Sequence, residues 1–164
     1  MKSAPDVLFQ ILVTKIKKQK NKKYKNIYSV IKFMNNKILT NSLEDYLEII
    51  YIIHKNSGCV RVTDIANKLR FSKASVTRAV NNLKSQKLVT QERYGQIILT
   101  SLGIETAKLI YERHKILSDF FVKILGVDSY TAEIDACKAE HILSPKTIEN
   151  IKFFLNKSQE SHEL

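Results

Sequence analysis

The stretch DACKAEH, residues 135–141, brings a thiol, a carboxylate and an imidazole together as Cys137, Glu140 and His141. Side chains three and four apart share one face of a helix, so a helical DACKAEH puts Cys137 over both Glu140 and His141. All three could then reach one ion. Upstream, Asp45 and Glu48 repeat at helical spacing in SLEDYLEIIYIIHK, and with Ile52 they form a narrow seam on an otherwise apolar segment. Burying two unpaired carboxylates is expensive, so this pair needs a partner. His114 in YERHKIL adds a second imidazole. Carboxylates and imidazoles with one thiolate suit a borderline divalent ion, Mn²⁺ or Fe²⁺. A structural zinc site would show CxxC pairs, and the sequence has none. Taken singly, each residue has a plainer reading: Asp45 as a cap, Cys137 as a small core residue, His114 as a surface histidine, Glu140 and His141 as a solvated pair. Together they offer six donors on three separate segments.

The elements that must position these donors follow from patterning. Ser42 to Asp45 has the form of a capping box ahead of YLEIIYIIHK, which is apolar on most sides and predicts a largely buried helix. In RVTDIANKLRFSKASVTRAVNNLKSQKLV, Thr63 can cap a short helix through Leu69, with Ile65, Ala66 and Leu69 inward. Ser72 then caps a second helix whose apolar positions Val76, Ala79, Val80 and Leu83 repeat at three and four. The other face of that helix shows Lys73, Ser75, Thr77, Arg78, Asn81 and Lys84. Two short helices joined by a brief turn, the second polar and basic, read as helix-turn-helix. LVTQERYGQIILT alternates around Tyr94-Gly95 and predicts a two-stranded hairpin, which completes a winged helix. Beyond it, Ile104, Ala107, Ile110, Leu117, Phe120, Phe121 and Ile124 define one long helix that Gly126 can end. A helix carrying DACKAEH follows, and Ser144-Pro145 starts a last one with Ile148, Ile151 and Leu155 on its apolar face. Three helices cannot bury so many apolar positions alone, which predicts a dimerisation and sensing domain.

Composition narrows the class. The 164 residues are 44% apolar, enough for a core, and four glycines with two prolines favour helices over a many-turned β fold. Two cysteines, Cys59 and Cys137, exclude a disulfide scaffold and fit a reducing cytoplasm; Cys59 lacks a partner at ligand spacing and reads as structural. VLFQILV is too short to span a bilayer, and no small-residue cleavage site follows it. The net charge of +11 is uneven: residues 1–40 carry +9 and residues 41–164 carry +2. KIKKQKNKKYKN therefore reads as a solvated, disordered arm that can add nonspecific DNA affinity, and Met34 offers an alternative start. Nucleic-acid binding by the folded part has to come from local arrangement.

From about Ser42 to Asn156 the chain resembles the diphtheria toxin repressor family of metal-dependent regulators, especially its shorter manganese branch. SLEDYLEIIYII resembles the family's first helix, SKASVTRAVNNL its recognition helix, LTSLG its wing-to-linker join, and ERHKIL and DACKAEHILS its metal-ligand segments. That resemblance implies Asp45, Glu48, His114, Cys137, Glu140 and His141 as metal ligands. It implies Ser72, Ala74, Ser75, Thr77 and Arg78 as the residues that meet DNA. The pattern is a hybrid: Asp45 follows the manganese branch, Cys137 the iron branch, and Ser118 stands where the iron branch carries a second-site acid.

The resulting expectation is a mainly α protein. It comprises a basic extension at 1–40, a winged helix-turn-helix domain at 41–102, a helical metal-sensing and dimerisation domain at 103–157, and a tail at 158–164. Its function would be that of a cytoplasmic, homodimeric, Mn²⁺- or Fe²⁺-dependent repressor on palindromic double-stranded DNA half-sites, with no membrane partner and no enzymatic activity. A winged-helix regulator sensing an organic ligand is the first rival. A metal hydrolase is the second, and it lacks H-E-x-x-H and an open coordination position.

Overall fold

The computed structural model describes residues 39–93 and 95–160, with the backbone alone for 159 and 160. The expectations for the basic arm, the Met34 start and Tyr94 lie outside these residues. The order of elements is α1 (Asn41–Ser57), α2 (Val62–Leu69), α3 (Lys73–Ser85), β1 (Val89–Gln91), β2 (Ile97–Leu99), α4 (Ser101–Lys123), α5 (Ser129–Ala139) and α6 (Pro145–Glu160). Contacts divide the chain into two compact units between Thr106 and Ala107.

The first unit is a winged helix-turn-helix. Leu47, Ile50, Ile65, Val76, Val80, Leu83, Leu88 and Ile97 are all at most 2% exposed and form its core. The wing strands pair antiparallel in the register Val89↔Leu99, Thr90↔Ile98, Gln91↔Ile97, and Ile97 N–H also donates to the Val60 carbonyl at 2.8 Å. The turn between α2 and α3 needs a left-handed residue, and Arg70 supplies it at φ 56°, the Phe71 amide then bonding Ala66 O at 3.1 Å.

Two caps differ from the sequence-based expectation. α1 starts at Asn41 with Thr40 as N-cap, its hydroxyl accepting from Leu43 N–H at 3.3 Å. Ser42 therefore sits in the first turn and no capping box runs from it to Asp45. Likewise α2 is capped at Arg61, whose amide donates to Asp64 at 3.0 Å, rather than at Thr63. Asp64 is an acid in the first turn, where the helix dipole favours it, and it satisfies the Arg61 amide, whereas a cap at Thr63 would serve amides further along the chain. Ser72 does cap α3, accepting from Ser75 N–H at 3.1 Å. In α1 only Tyr46, Leu47, Glu48 and Ile50 are buried; Ile49, Tyr51, Ile52 and Ile53 are half-buried.

α4 runs for 23 residues, as its long apolar face predicts. Its start is fastened by Thr100, whose hydroxyl donates to Lys87 O at 2.7 Å and accepts from Gly103 N–H at 3.0 Å. In the second unit Leu117, Ala136 and Ile148 form a small core flanked by Ile116, Phe121, Leu143 and Ile151. Gly126 takes φ 68° after α4, and Asp128 caps α5 by accepting from Thr131 N–H at 3.0 Å. A side-chain hydrogen bond with Thr131, and then this backbone one, hold the Asp128 carboxyl below its usual range. α5 ends at Ala139, so DACKAEH is not wholly helical: Glu140 is the C-cap and His141 lies in the following turn. Pro145 disfavours helical backbone at Ser144, so the next helix starts afresh there rather than continuing α5. Ser144 then caps α6, accepting from Thr147 N–H at 3.2 Å.

Candidate metal centre and nucleic-acid interface

Within the second unit the chain folds three of the expected donors around one buried carboxylate. Glu140 is fully buried, and neither of its side-chain oxygens accepts a hydrogen bond from the described residues. Its nearest basic groups are two imidazoles: His114 Nδ1 lies 3.3 Å from Oε2, and His141 Nε2 lies 3.4 Å from Oε1. Both distances exceed that of a strong charge-assisted hydrogen bond. A buried ionised carboxylate without hydrogen bonds costs far more than a neutral polar group does, several kcal/mol even after relaxation, unless a cation compensates it. The geometry therefore fits a divalent ion, to which one oxygen pair and two imidazoles could turn lone pairs.

Cys137 stands one turn before Glu140 on α5. Its Sγ and a Glu140 oxygen lie within 4.8 Å, and the residue is exposed, so it is not the small core residue of its plainer reading. His141 is not a solvated residue either, its side chain being only 6% exposed. In the first unit Asp45 is half-buried and Glu48 is buried on α1, as their seam on an apolar helix requires. Burial of neighbouring Tyr46, with the Asp45 charge beside it, pushes the phenol upward.

One residue near this group was not anticipated. Glu133, on α5, accepts from His114 Nε2–H at 2.7 Å and from the Ser118 hydroxyl at 2.8 Å. The His114 bond is the main reason its carboxyl stays below the usual range. Its signal in the sequence was the spacing of four from Cys137, one helical turn back on the same face.

The expected DNA-contacting residues Ser72, Ala74, Ser75, Thr77 and Arg78 are all exposed on and just before α3. The Ser72 and Ser75 hydroxyls are 2.9 Å apart, and the exposed Thr77 donates its hydroxyl to Lys73 O at 2.8 Å, which leaves the oxygen able to accept. Beside them a groove of about 740 Å³ is lined by Arg61, Lys73, Thr77, Lys84, Arg93 and, as the one acid among its described residues, Glu92. Arg61 and Arg93 were missed because they join α3 only through the fold. Four cations around one groove are chemistry for phosphate oxygens.

Comparison with known proteins bears on both halves. Residues 38–97 match the iron-dependent repressor N-terminal DNA-binding domain, and residues 100–163 match the iron-dependent repressor metal-binding and dimerisation domain. The chain is 40% identical over 120 residues to an uncharacterised HTH-type transcriptional regulator of Methanocaldococcus jannaschii, covering 73% of this chain and 96% of that one. The chain belongs to the iron-dependent, or diphtheria toxin, repressor family, in its manganese-regulator branch. A regulator of that branch, MntR of Shouchella clausii, is 38% identical over 122 residues, covering 74% of this chain and 85% of its own. Among solved structures, the manganese regulator SloR superposes with TM-score 0.63 at 28% identity, over 70% of this chain and 53% of that one. A manganese-dependent transcriptional repressor in complex with manganese gives TM-score 0.65 at 25% identity, over 70% and 52%. The chain thus spans about half the length of those solved chains. It is a metal-responsive transcriptional repressor of a family of DNA-binding regulators. No helix among the described residues is long and apolar enough to cross a membrane.

Proposed function

We propose that the chain is a homodimeric cytoplasmic repressor whose binding to palindromic DNA is switched on by Mn²⁺ or Fe²⁺ held by Asp45, Glu48, His114, Cys137, Glu140 and His141. The observation that carries this reading is the Glu140 carboxylate, buried between two imidazole nitrogens and accepting no hydrogen bond from the described residues. When bound, the ion supplies the positive charge that this carboxylate-rich set lacks. Glu140 anchors the set by its burial, while His114 and His141 present neutral nitrogen donors beside it. Asp45 and Glu48 contribute hard oxygens from the helix that opens the DNA-binding unit. Engaging all six ligands raises the population able to bind DNA, with paired recognition helices on major-groove faces about 34 Å apart. Thr77 and Arg78 face base edges in this reading, and Arg61, Lys73, Lys84 and Arg93 receive phosphates. Exposed Tyr130, Ile134, Ile142, Phe153 and Phe154 supply apolar surface for a second copy to cover.

Cys137 is the only soft ligand, so it favours Fe²⁺ while the carboxylates accept Mn²⁺ equally. The test is an anaerobic titration of metal-dependent operator binding with each ion. His114→Ala or Glu140→Ala should abolish the response with the circular dichroism spectrum retained. Cys137→Glu should shift the Fe²⁺ midpoint upward relative to Mn²⁺. Full activation of either alanine variant would remove that residue from the ligand set, and an unchanged midpoint ratio would make Cys137 a bystander.

A further inference from the structure

His114 is held from both sides of its ring. Its Nδ1 faces the buried Glu140 oxygen at 3.3 Å, and its Nε2 faces Glu133 Oε2 at 2.7 Å. The second contact is the short one, and an ionised carboxylate can only accept, so the proton belongs on Nε2. Glu133 is itself steered by Ser118, whose hydroxyl donates to the other oxygen, Oε1, at 2.8 Å. Ser118 lies one turn along α4 from His114, so α4 contributes both contacts and α5 contributes the carboxylate between them.

We propose that Glu133, braced by Ser118, is a positioning residue that fixes His114 as its Nε2–H form and leaves the Nδ1 lone pair for a metal ion. The proposal rests on the reading of His114 as a ligand and adds to it the group that orients the ring. A free imidazole divides its proton between two nitrogens and its ring between rotamers. The short bond to Glu133 removes both choices before any ion arrives. Donation to a carboxylate also makes the opposite nitrogen more basic, which strengthens it as a ligand. Both oxygens of Glu133 accept hydrogen bonds, one from His114 and one from Ser118, the arrangement of a group that orients a ligand. Loss of such an orienting carboxylate typically weakens metal binding 10–100-fold. Glu133 is 61% exposed and water competes for it, so the expected effect is at the lower end, about tenfold.

The experiment compares full-length wild type with Glu133→Ala and Glu133→Gln, both retaining an exposed surface position that should not disturb folding. In chelator, long-range ¹H–¹⁵N spectra read the ring of His114, assigned by its absence in His114→Gln. Wild type should show the proton on Nε2, Glu133→Ala a mixture of the two forms, and Glu133→Gln a partial return, because its amide oxygen can still accept. Calorimetric Mn²⁺ affinity should fall about tenfold in Glu133→Ala and recover part of that loss in Glu133→Gln. An unchanged His114 signature in Glu133→Ala would overturn the proposal, as would a loss of ions bound per chain, which would make Glu133 a ligand. Wild type that binds no Mn²⁺ would defeat the metal reading instead, while the spectra in chelator would still judge the positioning of His114.

Discussion

Glu140 shows how one side chain can reveal a missing charge. A carboxylate buried to 0% exposure beside imidazoles that do not hydrogen-bond it is destabilising on its own and favourable only with a cation. Glu140→Gln keeps the shape and removes the charge. At pH 8, where unperturbed histidines are neutral, the variant in chelator should be as stable as wild type or about 1–2 kcal/mol more so. Added Mn²⁺ should raise the melting temperature of wild type and leave the variant unmoved. A variant less stable than wild type in chelator would mean that the two histidines alone already satisfy the carboxylate. At this level much of the candidate site was legible, because Asp, Glu, His and Cys at helical spacing carry their chemistry in their types. The spacing of Glu133 from Cys137 was visible but its role was not, since its partners His114 and Ser118 lie on another helix and meet it only through the packing of α4 on α5.

The elements were readable where a local signal had no competitor. Ser72 and Ser144 cap the helices they precede, and the wing pairs in one antiparallel register around its turn. The starts of α1 and α2 were misplaced because each segment offers more than one polar residue able to fasten a helix start, and the structure uses Thr40 rather than Ser42 and Asp64 rather than Thr63. α5 ends at Ala139, so Glu140 and His141 fall in its C-cap and the turn beyond rather than within the helix. Gly103 is the firmest case of an element set by close approach. A Cβ built there would lie 1.9 Å from the Leu88 carbonyl oxygen, the acceptor of the Thr100 amide at 3.0 Å. Gly103→Ala must push the start of α4 off the wing, at a cost of about 3 kcal/mol, the upper end for overpacking a tight site. Urea unfolding would measure it, and a loss under 0.5 kcal/mol would show that this junction yields easily.

Across the whole chain, charge and exposed surface divide the labour. The basic excess sits in residues 1–40, yet the folded first unit gathers four cations into one groove beside α3 despite its nearly neutral remainder. The second unit has a small core and leaves Tyr130, Ile142 and Phe153 at least 70% exposed, as expected of a surface meant for a second copy. In the proposed reading an ion that neutralises buried carboxylate charge links the two functions, which couples DNA affinity to metal occupancy. The most direct measurement is fluorescence anisotropy of a labelled duplex from the chain's own upstream region, titrated with full-length protein in Mn²⁺, in Fe²⁺ and in chelator at fixed ionic strength. Specific affinity should rise at least about tenfold with either ion, a coupling of ~1.4 kcal/mol, and binding to random duplex should change far less. Equal specific affinity in metal and in chelator would contradict metal-gated repression outright.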